Sequence, residues 1–177
     1  MAQGVASLDD ALSLIREVPD FPQPGVLFRD LAPVFADATA FRALTDAFAA
    51  GLPPDVSALV AIEARGFLLG AAVGYAAGIG VVPVRKPGKS PLVAHRVEYQ
   101  LEYGTACLEL PDGLLRPGQR VVIIDDVLAT GGTVRATGEL VEAAGATVAG
   151  VTVVLELAAL NGRAALPNWP VTALRTV

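Results

Sequence analysis

Apolar positions along the chain fall into two rhythms that alternate. Ser57 to Ile62, residues 81–84, residues 121–124 and residues 147–155 are short aliphatic and β-branched runs, the mark of strands buried on both faces. Between them, residues 67–77 and 133–144 read as helices, the second closed by Gly145. Upstream, Ser7 to Val18 has helical spacing, with Leu8, Ala11, Leu12 and Ile15 on one face and Asp9 and Asp10 in the first turn. Pro19, Pro22 and Pro24 then force an extended segment ending at Gly25, and residues 39–50 form a second helix stopped by Gly51 and Pro53-Pro54. Strands alternating with helices predict an α/β fold with a Rossmann-like, doubly wound, mostly parallel sheet and helices on both faces. Residues 86–111 interrupt the alternation: polar and basic at first, then a TACLEL stretch that alternates like an antiparallel strand. A segment of that length without a helix is functional or mobile. The expected organisation is one domain over 1–177, with a small N-terminal cap (1–35) and a long flexible flap (86–104).

Composition narrows this picture. Thirteen Lys+Arg against eighteen Asp+Glu leave a net charge of −5, so bulk charge does not draw nucleic acid, and an anionic partner must meet a local basic cluster. One cysteine, Cys107, rules out an internal disulfide framework and a Cys-rich zinc site. No charge occurs between Arg65 and Arg85, and Gly66, Gly70, Gly74 and Gly78 recur there at the four-residue spacing of paired membrane helices. Gly78-Ile79-Gly80 breaks that run, and Val81-Val82-Pro83-Val84 reads as a strand, which favours a Gly/Ala helix lying close on a sheet. No membrane association is therefore expected. Met1 to Asp10 lacks a basic segment followed by an apolar run, so no signal peptide is read and a cytoplasmic location is expected.

The chemistry concentrates in Val121 to Thr133, VVIIDDVLATGGT. Asp125 and Asp126 stand at the carboxyl end of an apolar strand, where open α/β sheets bind ligands. Ala129, Thr130, Gly131, Gly132 and Thr133 then form a loop that opens a helix, whose free amides and positive dipole end suit a monophosphate. Adjacent carboxylates suit the two hydroxyls of a ribose, which need acceptors. The arrangement can hold a sugar 5-phosphate. Neither GxGxxG after a strand nor GxxxxGK[ST] occurs, so dinucleotide and P-loop readings fail.

This stretch resembles the phosphoribosyl-diphosphate fingerprint of type I phosphoribosyltransferases. DFPQPGVLFRDLAPVF (20–35), EARGFLLG (63–70), PVRKPGKSP (83–91) and LEYG (101–104) narrow the resemblance to the adenine phosphoribosyltransferase family, over about residues 7 to 165. The resemblance implies transfer of the 5-phosphoribosyl group from phosphoribosyl diphosphate to adenine, giving AMP and diphosphate. It implies Arg65, Arg85, Lys86 and Lys89 on the diphosphate, with Arg65, Glu102, Asp125 and Asp126 as the catalytic group. Glu102 would act as general acid or base toward purine N7. Backbone groups of Leu27 and Arg29 would read the adenine edge, with Phe28 and Val127 on the ring faces. Mg²⁺ would ride on the substrate's oxygens with Asp125 and Asp126 nearby, a direct two-carboxylate site being the rival. A cis peptide at Glu63–Ala64, a flap that closes to exclude water and a homodimer complete the expectation. The chain departs from the family's pattern at Leu92 to Gln100, where His95 reads as an exposed loop residue and Cys107 beyond it as packing. Two alternatives stay open: transfer to xanthine or guanine, and a non-catalytic regulator that senses phosphoribosyl diphosphate. The second would need a DNA-binding segment for which the chain has no spare length.

Overall fold

A computed structural model describes residues 7–101 and 104–177, in two compact units that divide after Gly51. In the first unit, α1 (Leu8–Ser13) starts at a capping box: Ser7 Oγ accepts from the Asp10 amide at 3.1 Å, and the Ser7 amide donates to Asp10 Oδ2 at 3.1 Å. The helix is shorter than the Ser7–Val18 periodicity predicts. Arg16–Val18 leaves it as β1 and pairs antiparallel with β2 (Phe28–Asp30), so strand pairing overrides helical spacing. A short α2 (Ala32–Ala36) follows, then α3 (Ala38–Ala50), capped by Asp37 on the amides of Thr39 and Ala40 at 2.9 Å each. Its buried face is Ala40, Leu44 and Phe48, at fourfold spacing.

The second unit is built on a five-stranded parallel sheet. Its strands are β3 (Ala58–Ile62), β4 (Gly80–Val84), β7 (Arg120–Leu128), β8 (Thr147–Glu156) and β9 (Val171–Thr176), in the order β4-β3-β7-β8-β9. All of β3 is buried, because both faces are covered. Ala58, Val60 and Ile62 join the core with Val134, Leu140 and Val141 of α5 (Gly132–Ala143). Leu59 and Ala61 meet α4 (Arg65–Ala77) on the opposite side. The glycine stripe of α4 explains its closeness: a Cβ at Gly70 would stand 2.7 Å from the Ala61 Cβ, and one at Gly74 2.5 Å from Val81 Cγ2. Gly78 ends the helix in the left-handed region at φ 68°. The uncharged span thus divides into a helix and a strand. Among the described residues no helix is long and apolar enough to cross a membrane.

Residues beyond Val84 form an antiparallel hairpin, β5 (Val93–Leu101) with β6 (Gly104–Pro111). His95 belongs to β5 and is half-buried, not an exposed loop residue. The last residues, unassigned in the sequence, supply β9 at the sheet edge. Trp169 packs against α5, where a Cβ at Gly138 would fall 1.9 Å from the ring. The β3–α4–β4 crossover leaves β3 on one side and β7–α5–β8 leaves β7 on the other. The two connections part at the carboxyl ends of β3 and β7, the place where open α/β sheets form a crevice.

Candidate active site

That crevice is a cleft of about 510 Å³ whose walls include Glu63, Ala64, Arg65, Lys86, Tyr99, Asp125, Asp126 and Thr133. β3 delivers the first three. The Glu63–Ala64 peptide is cis, as the resemblance implied, and α4 begins at Arg65. Glycine at 66 lets the helix start close to the acids: a Cβ there would lie 3.0 Å from both Asp125 Oδ1 and the Ile124 carbonyl oxygen. β7 delivers Asp125 and Asp126 from within its last four residues, not past its end, since the β7–β8 ladder continues to Leu128.

The two acids stand in different surroundings. Asp126 is buried, and its Oδ2 lies 2.8 Å from Arg65 Nη2, an ion pair whose geometry leaves that oxygen without an aligned hydrogen bond. Asp125 Oδ1 accepts the Asp126 amide at 2.9 Å. Burial, and then the adjacent Asp126 charge, push the Asp125 carboxyl well above the ordinary aspartate range, with Arg65 opposing. A cation or a pair of hydroxyl donors would relieve this crowding of negative charge. Among the described residues no group of three or more His, Cys, Asp or Glu is placed to hold a metal alone. Hard carboxylate oxygens such as these are the ligand type that Mg²⁺ takes, so the chemistry of the pair fits that cation.

Beyond the acids, Asp125, Val127 and residues 128–134 enclose a cavity of about 60 Å³, the scale of a phosphoryl group. Gly131 caps α5 in the left-handed region at φ 84°, and the first helical amides lie beside this cavity. The loop has a support that the sequence did not reveal. A Cβ at Gly131 would stand 2.4 Å from the Gly162 carbonyl oxygen, and one at Gly162 2.2 Å from the Ala129 carbonyl oxygen, so two backbones touch. Arg163 holds that second segment in place. Its Nε and Nη2 donate to Glu156 Oε1 and Oε2 at 2.6 and 2.7 Å, and Nη1 donates to the Val171 carbonyl at 2.9 Å. The only advance signals were glycine at 162 and an acid–arginine pair seven residues apart.

The basic residues divide. Arg65 and Lys86 line the cleft. Arg85 is turned into its own loop: Nη1 donates to the Lys89 carbonyl at 2.7 Å, Nε lies 3.6 Å from Glu63 Oε2, and the guanidinium sits 6.0 Å from the Phe67 ring centre. Lys89 is exposed and is not among the cleft residues. From the hairpin, the Tyr99 hydroxyl reaches the Thr133 hydroxyl at 3.2 Å. Cys107 lines the cleft, and burial pushes its thiol up, away from reactive thiolate. Glu102 lies outside the described residues. In the first unit, Leu27 is exposed and Phe28 half-buried, its ring edge-on to Phe21 at 5.0 Å, while Arg29 is paired with Glu17.

The fold and this constellation define a type I phosphoribosyltransferase, and a phosphoribosyl transferase domain model matches residues 41–169. The adenine phosphoribosyltransferase of Saccharopolyspora erythraea is 60% identical over 171 residues, covering 97% of this chain and 93% of that protein. The crystal structure of the adenine phosphoribosyltransferase from Thermoanaerobacter pseudethanolicus superposes with a TM-score of 0.92 at 45% identity, covering 97% of this chain and all (100%) of the other. That of the Saccharomyces cerevisiae enzyme, complexed with an imino-altritol bisphosphate and adenine, has a TM-score of 0.89 at 36% identity, covering 95% and 98%. The chain belongs to the adenine phosphoribosyltransferase family.

Proposed function

We propose that the protein transfers the 5-phosphoribosyl group of phosphoribosyl diphosphate to adenine, releasing AMP and diphosphate, as a purine-salvage enzyme. The observation that carries this reading is the phosphoryl-sized cavity at the start of α5, directly beside two acids that can accept ribose hydroxyls. The adenine bound in the yeast relative agrees with the choice of base. Adenine presented as its N7–H form attacks the anomeric carbon through N9. The C–O bond to diphosphate breaks, its electron pair leaves with the diphosphate, and Glu102 takes the N7 proton. Charge builds on the sugar before the new bond is complete, as in glycoside hydrolysis, and Asp125 and Asp126 lie where that charge develops. Arg65 and Lys86 face the departing diphosphate, with Arg85 and Lys89 completing the basic loop. Mg²⁺, when bound, would neutralise charge on the diphosphate. Backbone groups of Leu27 and Arg29 are assigned the adenine edge, and Phe28 and Val127 its ring faces. An unmatched purine would leave buried donors and acceptors unpaired, which discriminates strongly. The flap (86–104) excludes water from the activated sugar. A cytoplasmic homodimer is the setting this proposal assumes.

The test is a spectrophotometric turnover assay with adenine, hypoxanthine, guanine and xanthine, with and without Mg²⁺. Adenine alone should turn over, and only with the metal. Turnover of a 6-oxo purine at a comparable kcat/KM would overturn the base assignment.

A further inference from the structure

Glu109 is the most buried carboxylate among the described residues, with 1% of its surface exposed, and the chemistry above gives it no task. A glutamate is almost never so buried unless its charge is met. Here its two oxygens serve two different segments. Oε1 accepts from Arg96 Nη2 on β5, and Oε2 accepts from the Gly88 amide at 3.2 Å. The backbone of Glu109 is bridged to the same loop, taking the Arg85 amide at 2.9 Å and giving its own amide to the Arg85 carbonyl at 2.7 Å. Gly88 turns in the left-handed region at φ 76°, so its amide is brought round to a side chain instead of a neighbouring strand. The remaining anchors of this loop are Glu63 Oε2, which takes the Lys86 amide at 3.0 Å, and Arg85 Nη1 on the Lys89 carbonyl at 2.7 Å.

We propose that Glu109 is a positioning residue for the diphosphate-binding loop: it fixes the backbone of residues 85–89, so that Lys86 is presented to the cleft, and through Arg96 it ties that loop to the hairpin. This rests on the assignment of the basic loop to diphosphate. An acid in this place does what an amide or hydroxyl would not. It makes charge-assisted bonds to both segments at once, so hairpin and loop are held by a single group. A residue that acts this way should matter for the ligand half that meets the loop and not for the half that meets α5.

The experiment compares the full chain with Glu109→Gln and Arg96→Met, titrating inorganic diphosphate and, separately, AMP by calorimetry in the presence of Mg²⁺. Diphosphate binding should weaken about tenfold in Glu109→Gln and about threefold in Arg96→Met, as for loss of one charge-assisted bond and of its support. AMP binding should hold within about twofold in both, because its phosphate sits in the other loop. In steady state the KM for phosphoribosyl diphosphate should rise while kcat and the KM for adenine hold. Equal weakening of both ligands, or a lowered Tm with both affinities unchanged, would show a structural role only and overturn the proposal. Should Glu109→Gln fail to fold, Arg96→Met, altered at a side chain 58% exposed, carries the same comparison. If the unaltered protein binds AMP but no diphosphate, the loop assignment itself falls, and the proposal falls with it.

Discussion

Gly131 shows how much one missing side chain can decide. Its φ of 84° suits glycine, and a Cβ would press on the Gly162 carbonyl at 2.4 Å, a backbone atom that cannot swing away. Gly131→Ala should therefore cost about 1–3 kcal/mol and abolish binding of ribose 5-phosphate, as read by thermal unfolding and calorimetry. At Glu102, the Gln variant should lower kcat by about a hundredfold or more with KM for adenine little changed; an unchanged kcat removes its role as proton acceptor. Residue types and their order were legible at this scale. The acid pair, the Thr-Gly-Gly-Thr loop and Arg65 were all named from the sequence, and the structure brings Arg65 and the acid pair to one cleft, with the loop enclosing the adjoining cavity. What a side chain does once there was not legible. Arg85 is assigned to the diphosphate from the sequence, and nothing in the sequence foretold that its guanidinium would rest on the Lys89 carbonyl and beside Glu63 and Phe67.

Among elements, α4 weighs helix propensity against packing. Alanine favours a helix interior over glycine by about 1 kcal/mol, but at Gly70 the new methyl would meet the Ala61 Cβ at 2.7 Å, an atom fixed to a central strand. Overpacking of that kind costs about 1–3 kcal/mol, so Gly70→Ala should lower the urea midpoint, while Gly80→Ala, with nothing within 4 Å, should not. The clamp at the end of β8 makes a pH prediction. Bidentate bonding to Arg163 holds the Glu156 carboxyl below the ordinary glutamate range. Its folded pKa lies under its unfolded one, so the stability it adds is present above about pH 4.3 and fades as pH falls through the folded value. Arg163 is 47% exposed, so after screening the pair is worth about 1 kcal/mol. Arg163→Gln should lower Tm by a few degrees at neutral pH and by less once Glu156 is protonated, when only the bond to the Val171 carbonyl is left to lose; a gap constant to pH 3 contradicts the assignment. Elements with strong periodicity were legible, β3, α3, α4 and α5 among them. Those defined by a distant partner were not. β1 carries a helix-like pattern until β2 pairs with it, β5 gains its identity from β6, and β9 needs the edge of β8.

For the whole molecule, a chain with a net charge of −5 that handles a strongly anionic substrate must gather its cations locally, and Arg65 and Lys86 line one cleft together with Asp125 and Asp126. The hairpin meets this cleft through Tyr99 and Thr133, so a ligand phosphate competing for the Thr133 hydroxyl would be felt in β5. Limited proteolysis within residues 86–104 should slow when AMP or phosphoribosyl diphosphate with Mg²⁺ is present, and equal cleavage with and without them would contradict closure. The fold class followed from alternation alone, and the location of the cleft followed from strand order once the sheet was known. The central claim is that one acid pair and one amide-lined loop together hold a ribose 5-phosphate. A crystal structure with AMP tests it most directly: the 5′-phosphate should rest on the amides of residues 129–133, with the ribose hydroxyls on Asp125 and Asp126. A nucleotide bound in ordered density anywhere else would contradict it.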